Sequence, residues 1–404
     1  MNNFVKKIIS SKNFISIVFI IGLAVKIALL FAGHSLDINT YIDWGNSTLA
    51  NGLGAAFGGN YFPIQYQLFS LYSYLAKIFH LNYFFVYKLA NLYFDVGIFV
   101  LLIAILKTIN VNPLYSLIYW IHPWFLVIFS QGYVDFQFSF FVMLSITILL
   151  HSNNNHSFNK YIYAGIPMAI AFLMKPQAEI IILTFFIFGL LYFIENKSDK
   201  WIYFLLPTGY LFMAYFIFIG LSQSFLALAK IYLNTLNLMP CLTANMLNIW
   251  YWPAYLLKQA AEPIYMVSDK VLIFSGFSAR TLAIIITLGL IITLVYFLNK
   301  NKMISEEVKY IYLFSIPNVI TPFLMTSAHE NHLFLGTQRE RPFRLSVHVL
   351  LLIQFINVYL RYIQPSLIPG VDPFLILSLI SMPFFFIIIW YFFKTFSSKY
   401  KIIN

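Results

Sequence analysis

The stretch FISIVFIIGLAVKIALLF, residues 14–31, decides the fold of this chain, because it is long and apolar enough to cross a lipid bilayer. A helix needs roughly 20 apolar residues to span about 30 Å of hydrocarbon. The stretch follows Lys6, Lys7 and Lys12 and lacks a small-residue cleavage site. We therefore expect a retained first span with its amino terminus in the cytoplasm, rather than a removed signal peptide.

The composition of the whole chain repeats this pattern. Of 404 residues, 61% are hydrophobic, 20% aromatic and 10% charged, and the mean hydropathy is +0.80. Apolar stretches continue almost to the end, and their lengths predict about eleven crossings. We predict an all-α polytopic membrane protein in which residues 1–404 form a single integral membrane domain. Within it we expect an N-terminal helical module at 1–221 with an outer loop at 33–63, an extracytoplasmic or re-entrant loop at 222–281, and a C-terminal helical module at 282–404.

The net charge of +11 is explained by membrane orientation, so we expect no nucleic-acid partner. Lysines are scattered through short loops beside apolar stretches, and the predicted cytoplasmic loops at 195–200 and 299–309 both carry them, as the positive-inside rule requires. The tail conflicts with this count, because its lysines fall outside if every span is a crossing: Lys394, Lys399 and Lys401. One late crossing is therefore missing or miscounted.

A single cysteine, Cys241, excludes an intramolecular disulfide and a cysteine-built zinc site. Packing and lipid must hold the fold instead.

Five short polar stretches interrupt the apolar pattern, and they are the candidate functional regions because hydrocarbon disfavours unpaired charge. The first, GHSLDINTYIDWGN at 33–46, carries Asp37, Tyr41, Asp43 and Trp44. A carboxylate just outside the membrane can accept the proton of an attacking hydroxyl group. The alternative is an aspartate that caps a juxtamembrane helix.

The second stretch, QGYVDFQ at 131–137, places Asp135 and Gln137 at the head of an apolar span. Asp135 is either an N-cap that interacts favourably with the helix dipole or a substrate contact.

The third stretch, MKPQAE at 174–179, lies inside the apolar region 161–194, which is too long for one straight span. Because Lys175 and Pro176 break it, we predict one crossing made of two half-helices. Lys175 and Glu179 are spaced i, i+4, so they either neutralise each other or belong to a functional site.

The last two stretches lie in later outer loops. LTANMLNIWYW at 242–252 mixes amides with aromatic rings, either as substrate contacts or as an interfacial helix. SAHENHLFLGTQRERPFR at 327–344 places basic side chains outside, against the positive-inside trend, so we expect an anionic partner such as a phosphate. His329 and His332 are too few to assign a metal site, so we assign no cofactor and leave a divalent metal open.

Taken in this order, the stretches resemble the GT-C superfamily of membrane glycosyltransferases, and within it the GPI mannosyltransferase II-like enzymes of bacteria and archaea. In the first outer loop, Asp37 with its following aromatic pair and Tyr61 correspond to the family's first-loop pattern. Residues 131–135 are similar to its GQVD motif, and residues 175–177 match its KPQ motif. Residues 245–250 are similar to its asparagine and tryptophan stretch, and residues 329–330 match the start of its HER motif. Two positions depart from the family pattern: Asn331 stands at the HER arginine, and Tyr133 is inserted in GQVD.

The resemblance implies a GT-C helical bundle with a large first outer loop that carries short juxtamembrane helices. It implies inverting transfer of a hexose, mannose in the family, from a polyprenyl phosphate donor to a glycan or glycolipid acceptor. The reaction would take place on the extracytoplasmic side of a multi-pass protein, in the plasma membrane of a prokaryote and in contact with membrane lipid.

The resemblance also assigns roles. Asp37 would be the general base, with Asp43 in reserve. The donor phosphate would be bound by His329, Glu330, Arg339, Arg341 and Lys175. The substrate contacts would be Tyr41, Trp44, Tyr61, Asp135, Gln137, Gln177, Asn245, Asn248 and Trp250.

Three other hypotheses remain open. A transporter or lipid flippase also needs aromatic cavities and buried charges, although no internal repeat is visible and the polar stretches gather near one membrane face. A polysaccharide polymerase or ligase handles lipid-linked sugar but transfers a whole glycan. A non-catalytic membrane scaffold would tolerate replacement of Asp37.

Overall fold

The computed structural model describes residues 12–35, 37–58, 61–151, 158–175, 177–235, 240–244, 246–258, 263–274, 276–326, 341–362 and 373–397. Most of these residues are helical, and their one sheet is a short antiparallel pair, β1 (Leu272–Phe274) with β2 (Phe277–Ser278). The helices are α1 (Lys12–Leu29), α2 (Asp37–Asn51), α3 (Leu53–Ala56), α4 (Pro63–Ile78), α5 (Tyr83–Thr108), α6 (Ser116–Ile121), α7 (Pro123–Gln131), α8 (Asp135–His151), α9 (Phe158–Phe172), α10 (Gln177–Asn196), α11 (Lys200–Gln223), α12 (Phe225–Thr235), α13 (Tyr251–Leu257), α14 (Ala279–Lys300), α15 (Glu306–Leu324), α16 (Arg341–Tyr362) and α17 (Pro373–Ser397).

Five of the described helices are long and apolar enough to cross a membrane: α5, α10 from Glu179 onward, α11, α14 and α17. The bent pair of α6 and α7, at 50°, would add a sixth. Large apolar side chains stand exposed on these helices, among them Tyr210 and Leu221 on α11 and Trp390 on α17, as lipid contact requires. The chain is therefore an all-α membrane-embedded protein, but the predicted count of about eleven crossings is not confirmed.

The chain divides into two compact units, which are described separately below. Unit 1 comprises Met1–Pro176 and Leu206–Ala229, and unit 2 comprises Gln177–Leu205 and Lys230–Asn404. The predicted break near Lys175 is confirmed, because α9 ends at Phe172 and α10 begins at Gln177. The predicted module boundaries, and the single crossing at 161–194, stay predictions.

A buried ion pair fixes the first helix of unit 1. The Lys26 amine of α1 donates to one carboxylate oxygen of Asp95 on α5, and both side chains are fully buried. The Tyr119 hydroxyl of α6 donates to the other oxygen at 2.5 Å, and the amine lies 4.0 Å from the Trp120 ring centroid. The lysine and aspartate, each costly alone in this setting, are thus compensated by each other and by two aromatic rings.

One end of unit 2 joins the last helix to the loop that follows α14. The Asn301 amide donates to the backbone carbonyls of Thr395 at 3.2 Å and Phe396 at 3.0 Å. The Phe396 ring lies 4.7 Å from that of Tyr312 on α15. The end of α17 and the beginning of α15 therefore lie at the same end of this unit.

The opposite end of unit 2 holds the other termini of these two helices. The Trp250 indole donates to the Leu324 carbonyl at the end of α15. Phe374 and Leu375, at the start of α17, pack against the apolar cluster that contains Trp250. The end of α15 and the beginning of α17 therefore lie at the same end of unit 2. The sequence pattern also predicts a span at 345–362, and counting that span as a crossing is what places the tail lysines opposite the lysine-bearing loop at 299–309.

This topology predicts that Lys302 and Lys394 are labelled from the same side of the membrane. In a Cys241→Ser background, we expect Lys302→Cys and Lys394→Cys to react with a membrane-impermeant maleimide only in inverted vesicles. Leu257→Cys, at the opposite end of unit 2, should react only in right-side-out vesicles. Labelling of Lys302→Cys and Lys394→Cys from opposite sides would contradict the arrangement of α15 and α17.

The buried pair of unit 1 gives a second prediction. Lys26→Met leaves the Asp95 carboxylate buried without its counter-ion, so we expect it to destabilise the protein by about 3–5 kcal/mol. The double variant Lys26→Met/Asp95→Leu removes both charges and should recover most of that loss. Thermal unfolding in detergent measures the difference, and a double variant no more stable than the single one would show that the charges are not coupled.

Candidate functional site

The first two polar stretches and the start of the third, up to Lys175, meet in unit 1. The Ser35 amide donates to the Gln131 carbonyl at 3.0 Å, which joins the first outer loop to the end of α7. Farther along this loop, the Phe62 and Ile64 amides donate to the carbonyls of Met174 and Leu173 at 3.2 and 2.9 Å. The first loop is therefore attached by its backbone to both later stretches. We call the residues gathered here, from α2, the start of α4, the start of α8 and Lys175, the unit 1 site.

The two candidate bases lie on α2 with exposed side chains. Asp37 occupies the first turn of this helix, and Asp43 lies six residues later. A carboxylate in the first turn is stabilised by the positive end of the helix dipole. The capping alternative and the general-base hypothesis are therefore compatible for Asp37, since a carboxylate in the first turn of a helix can also be exposed at the surface, as this one is.

Lys88 fixes the chain that leads to Asp37. This buried amine of α5 donates to three backbone carbonyls at the end of α1: Leu29 at 3.2 Å, Ala32 at 2.9 Å and Gly33 at 2.8 Å. All three hydrogens of the Lys88 amine are used, so the amine satisfies carbonyls that the end of α1 leaves without intrahelical partners. These bonds also fix the conformation of the turn that leads into the first outer loop. Sequence analysis did not select Lys88, because it stands alone in an apolar span.

Aromatic side chains form a layer behind α2. The Tyr41 ring stacks on Phe69 at 4.7 Å, and its hydroxyl lies 3.2 Å from that of Tyr61. The Trp44 ring stacks on Tyr66 at 5.4 Å. Trp44 and Tyr61 are half-buried, whereas the other three are buried, so the layer presents its edge at the surface of the unit.

The pKa of the Tyr61 hydroxyl depends on its burial and on the charges around it. Burial raises the pKa of this group above its ordinary value, and the negative charges of Asp135 and Asp37 raise it further, against the opposing hydrogen bond with Tyr41. Both carboxylates therefore lie close enough to act on the same phenol. Tyr61 remains a neutral hydrogen-bond donor at physiological pH.

Asp135 and Lys175 form a buried ion pair. The Lys175 amine donates to an Asp135 oxygen at 2.8 Å, with side-chain exposures of 4% and 2%. Asp135 begins α8 and so also meets the positive end of that helix dipole. The partner of Lys175 is thus an aspartate forty residues earlier, where the i, i+4 spacing had suggested Glu179.

Gln137 belongs to a buried chain of amides. Its carbonyl accepts from the Gln65 amide at 3.0 Å, and its own amide donates to Asn91 at 2.7 Å. Asn91 in turn donates to the Tyr133 backbone carbonyl at 3.1 Å. Gln137 is thus joined to α4 and α5, and neither Gln65 nor Asn91 was selected from the sequence.

Unit 2 contains two further predicted contacts, and both hold the end of α15. The Asn248 amide donates to the carbonyls of Pro322 at 3.2 Å and Met325 at 3.1 Å, and the Trp250 indole donates to Leu324 at 2.6 Å. These bonds use the carbonyls that a helix end leaves without intrahelical partners. They account for the burial of both side chains, and the proposed substrate contact stays a prediction.

An ion pair of unit 2 was missed by sequence analysis. The fully buried Asp269 receives two hydrogen bonds from Arg280, at 2.7 and 3.0 Å, and one from the Thr326 hydroxyl at 3.1 Å. Asp269 lies in the loop before α14 and Arg280 in the first turn of that helix, eleven positions later, so no helical spacing pairs them.

The other predicted positions, or their side chains, lie outside the described residues. Asn245, His329, Glu330 and Arg339 lie outside the described residues. Gln177 and Arg341 begin α10 and α16, but their side chains also lie outside the described set.

Comparison of the chain with protein-family models, with curated proteins and with solved structures gave no match. The likeness to GT-C enzymes therefore depends on the motifs alone.

The contact between α2 and the end of α7 requires a glycine, which gives a third prediction. Gly132 has a φ of +73°, and a Cβ atom there would lie 2.4 Å from the Ile38 Cδ1, one residue after Asp37. Gly132→Ala should therefore cost about 1–3 kcal/mol of stability from backbone strain and overpacking together. Ile38→Val removes the Cδ1 atom, so Gly132→Ala should cost less in an Ile38→Val background than in the wild type. Thermal unfolding that gives Gly132→Ala the same cost in both backgrounds would contradict the overpacking account.

Proposed function

We propose that this protein is a GT-C-like glycosyltransferase that moves a hexose, mannose by resemblance, from a polyprenyl phosphate to a glycan or glycolipid acceptor. The observation that carries the proposal is the unit 1 site itself. In it, an exposed carboxylate on a fixed loop stands beside an aromatic layer and a buried ion pair, all supplied by the stretches that resemble the family's motifs in the family's order.

Asp37 acts as the general base of an inverting displacement. Its carboxylate takes the proton of the acceptor hydroxyl as that oxygen attacks the anomeric carbon. The bond from this carbon to the phosphate oxygen breaks on the opposite face, and polyprenyl phosphate leaves with the electron pair. Lys88 and the Ser35 amide keep the preceding turn in place, so the base needs little reorganisation to reach its substrate.

Charge on the leaving phosphate needs cationic partners. Lys175 is one candidate in the described part of the chain, and its hydrogen bond to Asp135 orients the amine before substrate arrives. His329, Glu330, Arg339 and Arg341 remain candidates from the motif alone. A phosphate-linked donor needs no nucleotide, which agrees with a sequence in which no Gly-rich phosphate loop was found.

Aromatic rings suit the sugar. Trp44 and Tyr61 stand half-buried at the edge of their layer, and flat rings pack well against the apolar faces of a hexose. The neutral Tyr61 hydroxyl supplies a donor at the same place.

A transporter is the second candidate, and the Lys26–Asp95 pair is the observation that favours it. Ionisable groups buried within spans often mark an ion or substrate path. Here the pair is enclosed by Tyr119 and Trp120, which favours a structural role. A polymerase or ligase differs from our proposal in its donor, which would be a diphosphate-linked glycan.

Replacement of Asp37 tests the proposal. We expect purified Asp37→Asn to lose at least a hundredfold in the transfer of labelled mannose from polyprenyl phosphate mannose to membrane-derived acceptors, because the acceptor hydroxyl loses its base. Asp43→Asn, on the same helix and also exposed, is the matched control and should transfer nearly as fast as wild type. Both variants should unfold at the wild-type temperature.

Other outcomes are equally informative. Full activity in Asp37→Asn with loss in Asp43→Asn would assign the base to Asp43. Absence of transfer by wild type from this donor would reject the proposed function and return the transporter and the ligase to first place.

A further inference from the structure

The buried amide chain of unit 1 has a direction that one backbone group determines. The Tyr133 carbonyl can only accept, so Asn91 must turn its Nδ2 toward it, at 3.1 Å. This orientation leaves the Asn91 oxygen to accept from Gln137 at 2.7 Å, and the Gln137 oxygen in turn accepts from Gln65 at 3.0 Å. Each amide is therefore held in one of its two orientations.

The series of hydrogen-bonded amides ends in an oxygen atom. Because Gln65 must turn its Nε2 toward Gln137, its Oε1 points away from the chain as an acceptor. This atom is buried and has no hydrogen-bond partner among the described residues. A buried acceptor without a donor is costly, on a scale that changes an equilibrium roughly tenfold or more. Alignment of the chain, moreover, strengthens the partial negative charge at its free end.

The chemistry of this acceptor selects its ligand. A carbonyl oxygen attracts hydroxyl hydrogens and repels the oxygens of a phosphate or carboxylate. Gln65 lies in the first turn of α4 and directly follows Ile64, whose amide donates to the Leu173 carbonyl. Lys175 is two residues after Leu173, so the two side chains belong to neighbouring parts of the site. The adjacent Tyr66 carries the Trp44 ring on its face.

We propose that Gln65 Oε1 accepts a hydrogen bond from one hydroxyl group of the donor sugar, so that Gln65, Gln137 and Asn91 form a hydroxyl-recognition relay. This inference rests on the proposed function and adds the residue that distinguishes one hexose from another. Lys175 would bind the phosphate of the donor, and the relay would bind a hydroxyl group of its sugar.

Contact with the relay requires this part of the site to open, because Gln65 is fully buried. Half-buried rings lie close by, since Trp44 stacks on the adjacent Tyr66 and Tyr61 precedes α4 by two residues. Once the sugar reaches Gln65, its hydroxyl supplies the donor that the acceptor needs. A sugar that lacks this hydroxyl leaves the acceptor unpaired after the loop has moved, so it is rejected in the reactive complex.

Deoxy sugars test the relay directly. We would measure kcat/KM of wild type, Gln65→Met and Gln67→Met for polyprenyl phosphate mannose and for its 2-, 3-, 4- and 6-deoxy analogues. Gln67 is the matched control, since it is two positions along α4, is exposed, and accepts from Tyr215 at 2.7 Å outside the relay. We expect wild type and Gln67→Met to disfavour one analogue at least tenfold, and Gln65→Met to treat that analogue and mannose alike.

The ratio between analogue and parent is the decisive quantity, because partial unfolding lowers both rates equally. If Gln65→Met retains the wild-type discrimination against every analogue, the relay does not contact the sugar, and its acceptor serves a fixed water instead. If wild type discriminates against none of the analogues, the inference also fails while the proposed function survives. If wild type transfers no mannose at all, the proposed function itself fails.

Discussion

Hydrocarbon offers no hydrogen bonds, and this constraint explains how three buried lysines of the protein are held. Lys26 is held by Asp95, and Lys175 by Asp135. Lys88 instead uses three backbone carbonyls. Each of these interactions joins segments far apart in the sequence, so compensating a polar group and bringing distant helices together are the same event. The unit 1 site is a product of that requirement, since its loop is fixed by the bonds that compensate buried donors and acceptors.

The general character of the fold could be predicted from the sequence, because hydropathy acts locally. The break near Lys175 follows from the local signals of proline and charge, whereas the short helices of the first outer loop were implied by the resemblance. The number of crossings was harder to predict, since α16 contains an apolar stretch close to the length of a span, while the end of α15 and the beginning of α17 lie at the same end of unit 2. That information is carried by contacts between Asn301 and the end of α17, which no window along the chain contains.

The site could be predicted in part, because local patterns are visible in the sequence and contacts between distant residues are not. Polar residues grouped in short stretches, such as Asp37 and Asp135, stand out against an apolar background. Lys88 and Asn91 also stand in that background, but singly, and a lone polar residue in a span gives no indication of its partner. The pairing of Lys175 illustrates the limit, because the spacing offered Glu179 and the fold supplied Asp135.

Several of the side chains that organise this protein bind backbone rather than other side chains. Lys88 binds the carbonyls of residues 29, 32 and 33, Asn248 those of residues 322 and 325, and Asn301 those of residues 395 and 396. Every amino acid presents a carbonyl, so nothing in these bonds restricts which residues occupy the partner positions. A lineage could replace nearly all of its apolar residues while a few such anchors preserved the architecture, and its members would then share a shape long after their sequences had ceased to align.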